Sequence, residues 1–79
     1  MKERKPITNA LMNELFRCDY HILWIYVHDN MERGVYEVNL KLTDGFCYEL
    51  DIDMFDFDEK DVVYALRELV ARVYGGSGE

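Results

Sequence analysis

The middle of the chain alternates between apolar and polar residues in two successive runs. From Val35 to Leu42, Tyr36, Val38, Leu40 and Leu42 share one parity, and Val35, Glu37, Asn39 and Lys41 the other. From Phe46 to Met54, Phe46, Tyr48, Leu50, Ile52 and Met54 alternate with Cys47, Glu49, Asp51 and Asp53. Side chains on a strand project to opposite faces with period two, so each run predicts a half-buried strand. Asp44-Gly45 between them is a strong two-residue hairpin signal. Upstream, Tyr20 to His28 is rich in β-branched and aromatic residues and predicts a first strand. The polar run Asp29 to Gly34 predicts the turn that follows, with Gly34 at a positive φ.

Helical spacing flanks the strands. Ile7, Ala10, Leu11, Leu15 and Phe16 predict an amphipathic helix over 6–17, with Pro6 in its first turn and Asp19 near its end. Val62, Leu66, Leu69, Val70 and Val73 form the apolar stripe of a second helix. Asp58 is its expected N-cap, Glu59 and Asp61 complement the dipole of its first turn, and Gly75 is its expected stop. The sum is an α+β fold in the order α-β-β-β-α: a three-stranded antiparallel meander with both helices packed on one face. Residues 1–74 read as a single domain. Residues 1–5 read as a frayed basic arm, and 75–79 as a flexible tail or engineered scar.

The first strand breaks the alternation. Simple parity puts Leu23, Ile25 and Val27 on one face and Ile22, Trp24 and Tyr26 on the other. Only one face can meet the helices. The other is expected to be a sticky patch or a contact with a second copy, with Trp24 and Tyr26 as anchors.

Charge changes the picture more than composition does. Residues 1–43 hold six acids and six bases, whereas residues 44–79 hold ten acids and three bases, so the whole net charge of −7 lies in one half. Seven of the acids fall between Glu49 and Asp61, against Lys60 alone. Such asymmetry speaks to partners: it favours a basic protein and disfavours direct binding to nucleic acid or an anionic membrane. Outward carboxylates two residues apart on a strand are separated by about 6.8 Å. Phosphates on one DNA strand advance about 3.4 Å each, so such a row is a coarse substitute for a phosphate backbone. Charged outer faces also serve solubility and block edge pairing. The alternating loop Met54 to Asp61 reads first as a turn pinned by Phe55 and Phe57, its acids capping the helix.

Little in the chain suggests catalysis or a cofactor. Asp51-x-Asp53 opens like a calcium loop, but Asp56 stands where the loop needs glycine and Val62 where it needs its last glutamate. His21 and His28, seven apart, fall on opposite faces of one strand and cannot share a metal. Cys18 and Cys47 lie in no ligand or redox spacing. No nucleophile elbow, zincin motif or phosphate loop is present. With no apolar stretch of signal or spanning length, a cytoplasmic protein without cofactor or metal is expected.

In length, in element order and in the acidic span Glu49 to Asp61, the chain resembles the small acidic anti-defence proteins of phages and mobile elements, among them anti-CRISPR proteins. The resemblance implies a non-catalytic inhibitor that occupies the DNA-binding or motif-reading cleft of a nuclease complex. The residues expected to make that contact are Glu37, Glu49, Asp51, Asp53, Asp56, Asp58 and Glu59, with Trp24 and Tyr26 as apolar anchors. The alternative is a small adaptor, antitoxin or immunity-type domain, dimeric through its first strand, in which the acids only solubilise.

Overall fold

In a computed structural model, described here for residues 3–75, the chain runs α1 (Asn9–Arg17), β1 (Ile22–Asn30), β2 (Val35–Leu42), β3 (Cys47–Asp53) and α2 (Glu59–Gly75). The three strands form one antiparallel sheet in the order β1-β2-β3. This is the α+β arrangement that the alternation predicts. Of the expected tail 75–79, Gly75 is instead the last residue of α2, and 76–79 lie outside the described residues.

The second hairpin explains its own turn. Leu42 N–H donates to Phe46 O (3.1 Å), Gly45 N–H donates to Leu42 O (2.9 Å), and Gly45 sits at φ +89°. That is a three-residue loop, Thr43-Asp44-Gly45, with glycine supplying the left-handed residue, in place of the expected two-residue turn. β3 consequently starts at Cys47, and Phe46, expected inside, is left exposed at its mouth.

Side chains on one side of the sheet make the core. Tyr36, Val38, Leu40 and Leu42 of β2, with Ile22 and Ile52, meet Leu11 and Leu15 of α1 and Val62, Leu66 and Val70 of α2, and Met54 and Phe57 close one end. Among the described residues, the thirteen buried ones are hydrophobic and none is charged, as the chain's short helical and strand stripes require. Both phenylalanines of the β3–α2 turn do pin it: Phe57 is buried, and Phe55 packs where a Cβ on Gly34 would lie 3.1 Å from its ring. Asp58 caps α2 as expected, its carboxylate accepting Lys60 N–H at 2.9 Å.

Two expectations at the N-terminus fail for one reason. α1 starts at Asn9, not Pro6, because Thr8 is its N-cap: extended at φ −82°, ψ 160°, its hydroxyl accepts Leu11 N–H at 3.1 Å. Of the expected frayed arm, residues 1–2 lie outside the described residues, and Arg4 and Lys5 are not frayed. Lys5 N–H donates to Met54 O, Lys5 Nζ donates to Phe57 O, and Tyr36 OH donates to Lys5 O, each at 2.7 Å. Arg4 adds an ion pair to Asp29. Backbone held by tertiary bonds in this way cannot also join a helix.

A third correction concerns β1. Ile22 pairs with Leu42, but the next pair is Trp24 with Lys41, so Leu23 is an extra residue, a β-bulge. The bulge turns Ile22 inward beside Ile25 and Val27. It leaves Leu23 on neither regular row, and Trp24 and Tyr26 face outward without Ile22.

Candidate functional site

Both helices cover one face of the sheet, so the other is bare. The register arranges it in four rows across β1, β2 and β3: Trp24–Lys41–Cys47, Tyr26–Asn39–Glu49, His28–Glu37–Asp51 and Asn30–Val35–Asp53. Aromatic residues therefore occupy one edge strand and carboxylates the other. Strands are spaced about 4.8 Å apart, so the two lie on the order of 10 Å from each other. Trp24 and Tyr26 are 42% and 57% exposed.

The acidic row is not bare charge. Arg33, in the β1–β2 turn, reaches over the sheet: Nη1 lies 3.0 Å from Glu37 Oε2 and Nη2 lies 2.7 Å from Asp51 Oδ2. Asn30 Nδ2 also donates to Glu37 Oε2 (2.9 Å), and Asn30 Oδ1 accepts Arg33 N–H, which fixes the arginine's stem. Glu37, Glu49 and Asp51 bring carboxylate oxygens within 4.8 Å of one another, a spacing that also suits a divalent ion. The bond from Arg33 holds the Asp51 carboxyl below its ordinary range, while the hydrogen bond shared with Asp51 pushes Glu49 up. The guanidinium thus fills the role of a cation there. Sequence reading missed Arg33 because it lies sixteen or more positions from the acids of β3, and only the hairpin register brings it to them.

The remaining acids are placed differently. Asp53 points to the bare face, and its carboxylate accepts Phe55 N–H at 3.0 Å. Asp56, Asp58 and Asp61, with Asp51, line a depression of about 220 Å³ between β3 and the start of α2, floored by Leu50, Ile52, Phe57, Val62 and Ala65. Glu59 is exposed on the first turn of α2. Glu59 apart, these acids fall in two sets, one on the bare face and one in the depression, joined at Asp51 on the sheet's edge. Asp61 belongs with the second set, although its helix position alone reads as dipole compensation.

A further polar cluster lies at the opposite end of α2. His21 Nδ1 is 2.8 Å from Asp19 Oδ1, and the imidazole stacks on Tyr74 at 3.7 Å. Tyr74 OH is 2.6 Å from Thr43 Oγ1 and accepts Asp44 N–H at 2.9 Å, and Tyr48 OH donates to Asp44. These bonds tie the α1–β1 turn, the second hairpin and the end of α2 together. His21 and Asp19 form the one imidazole–carboxylate pair among the described residues. Cys18 beside it is no ready nucleophile, since burial pushes its thiol up. No helix among the described residues is long and apolar enough to cross a membrane.

Comparison with protein-family models, with curated proteins and with solved structures finds no match to this chain.

Proposed function

We propose that this protein is a non-catalytic inhibitor that docks on a basic, nucleic-acid-binding surface of a protein partner. The carboxylates of β3 and of the β3–α2 turn stand in for nucleic-acid phosphates in a nuclease or similar defence complex. The observation that carries this reading is the bare sheet face, whose acids continue around the β3 edge into the depression. Glu49 and Asp53 on that face, and Asp56, Glu59 and Asp61 beyond it, make no side-chain ion pair among the described residues, so their charge is available to a cationic target. Glu37 and Asp51, satisfied by Arg33, rigidify the row more than they charge it. Trp24 and Tyr26, two strands away, supply the apolar part of the contact.

The test is affinity capture from lysates of bacteria carrying varied defence systems, with elution by duplex DNA in parallel with elution by salt. The reading requires partners that DNA displaces and that a Glu49→Lys/Asp53→Lys/Asp56→Lys variant no longer captures. Partners retained by that variant and lost by Trp24→Ala/Tyr26→Ala favour the second reading, an adaptor or dimer built on β1. What supports that second reading is the exposed run Leu23, Trp24 and Tyr26 on an edge strand.

A further inference from the structure

The free edge of β3 carries more than charge. In an antiparallel pair, alternate residues exchange both backbone bonds with the neighbouring strand. Leu42 N–H to Phe46 O and Met54 N–H to Gly34 O fix the phase of the β2–β3 ladder at both ends. By alternation Tyr48, Leu50 and Ile52 are the residues bonded to β2. The N–H and C=O of Glu49 and Asp51 therefore point away from the sheet, and no backbone partner meets them among the described residues. Directly below this edge lies the depression floored by Leu50, Ile52, Phe57, Val62 and Ala65 and rimmed by Asp56, Asp58 and Asp61.

We propose that the β3 edge accepts an extended, basic peptide segment of the partner as a fourth strand. The added strand bonds to the Glu49 and Asp51 backbone. Its inward side chains are apolar and rest on the depression, and its outward side chains are Lys or Arg beside Glu49, Asp51 and Asp53. Main-chain bonds supply affinity in such strand addition, and side-chain pockets on alternate positions supply selectivity. Charge selects the occupant. A second copy pairing β3 with β3 sets acid against acid across the new ladder, which like-charge repulsion opposes. A segment alternating bases with apolar residues complements both faces. The macrodipole of α2 is positive at this end, but Asp58, Glu59 and Asp61 in and before its first turn outweigh its half charge.

This inference rests on the proposed basic partner and specifies how a segment of that partner engages. The probe is acetyl-(Lys-Val)4-amide at low salt, titrated into the isotopically labelled protein. Expected on saturation is hydrogen exchange slowed about tenfold or more at the Glu49 and Asp51 amides, the range one added hydrogen bond commands. N-methylating the lysines in one peptide and the valines in another separates strand addition from charge attraction. In a strand only one alternate set faces β3, so one methylated peptide loses affinity about tenfold or more and the other keeps it. Asp56→Asn/Asp61→Asn, which leaves the N-cap Asp58 in place, weakens binding and flattens its salt dependence. Equal binding by the two methylated peptides, unchanged exchange at both amides, or no binding overturns the inference. Those outcomes leave the inhibitor reading standing if DNA still displaces captured partners. Loss of that displacement with peptide binding intact overturns the inhibitor reading instead.

Discussion

Arg33 Nη2 lies 2.7 Å from Asp51 Oδ2, so a base of the first hairpin is bound to an acid of the third strand, eighteen residues away. Because Glu37 takes the other nitrogen of the same guanidinium, one side chain organises β2 and β3 on the bare face.

That pair sets opposite pH behaviour in two neighbouring carboxyls. Asp51 is held down by its bond to Arg33, so its contribution to stability is present above its unfolded pKa and is lost as pH falls through the lowered folded value. Glu49 is pushed up by the hydrogen bond with Asp51, so its contribution is present below its unfolded pKa and is lost as pH rises through the raised value. Carboxyl-detected NMR titration should show Asp51 ionising before Glu49. In Arg33→Ala the Asp51 midpoint should rise; if it stays where it was, the guanidinium is not what holds it.

The bulge at Leu23 makes two adjacent residues very unequal. Ile22 is 5% exposed in the core and Leu23 is 52% exposed. Ile22→Ala should cost about 2–5 kcal/mol of unfolding free energy, the range for emptying a buried aliphatic site. Leu23→Ala should change it by about 0.5 kcal/mol or less, as at most surface positions. Urea unfolding of both variants checks this. A larger loss at Leu23 would restore unbroken alternation in β1.

Those two residues also show where sequence reading stops. β2 was legible residue by residue, because period two with one buried face leaves a single register for it. β1 was not, because Ile22 to Val27 is apolar on both parities, so the pattern holds no mark of where an extra residue enters. The helix stripe Val62, Leu66 and Val70 was legible from its spacing, whereas the start of α1 depends on Lys5 bonding to Met54 and Phe57, contacts some fifty residues distant. The candidate site divides in the same way. Its acids were legible as composition and its aromatic anchors as residue type. The Arg33 clamp, the place of Asp61 and the free β3 backbone depend on register and turn geometry, which local sequence does not carry.

Gly34 and Gly45 both have positive φ, +68° and +89°, but only Gly34 faces a neighbour. An alanine in the left-handed region costs about 1–2 kcal/mol at either site. At Gly34 its Cβ would also come 3.1 Å from Phe55 Cε2, so Gly34→Ala should be the more destabilising change. Thermal unfolding of the two single variants ranks them. Adding Phe55→Ala to Gly34→Ala should destabilise by less than the sum of the two, since the removed ring is the obstacle. Strict additivity would show that backbone strain alone is felt there.

Tyr48 offers a marker at alkaline pH. Its hydroxyl donates to Asp44, and that bond pushes its pKa up to about 12. A tyrosine with a raised folded value adds stability that is fully present below its unfolded pKa of about 10 and is lost as pH climbs through the folded one. Ultraviolet titration should show a late phenol step near pH 12. In Asp44→Asn that late step should move toward the ordinary value, and stability between the two pH limits should flatten. A late phenol that persists in Asp44→Asn would assign the delay to another cause.

Trp24 is the single tryptophan of the chain and stands on the bare face, so its fluorescence reports on that face alone. An indole 42% exposed and flanked by Lys41 should emit toward the red and be quenched freely by acrylamide at micromolar protein. The two readings of the protein then separate on concentration. If the face is kept open for a basic partner, emission and quenching should stay constant as the protein is raised to millimolar. They should change only when a captured partner is added, by a blue shift and loss of quenching. If β1 is instead a dimer interface, the blue shift should appear with concentration alone. It should also vanish in Tyr26→Ala, where the neighbouring anchor on the same edge is removed. Charge reversal at Glu49 and Asp53 distinguishes the two once more: it should abolish the partner-induced shift and leave a concentration-induced one untouched, because those carboxylates lie on the far strand from Trp24.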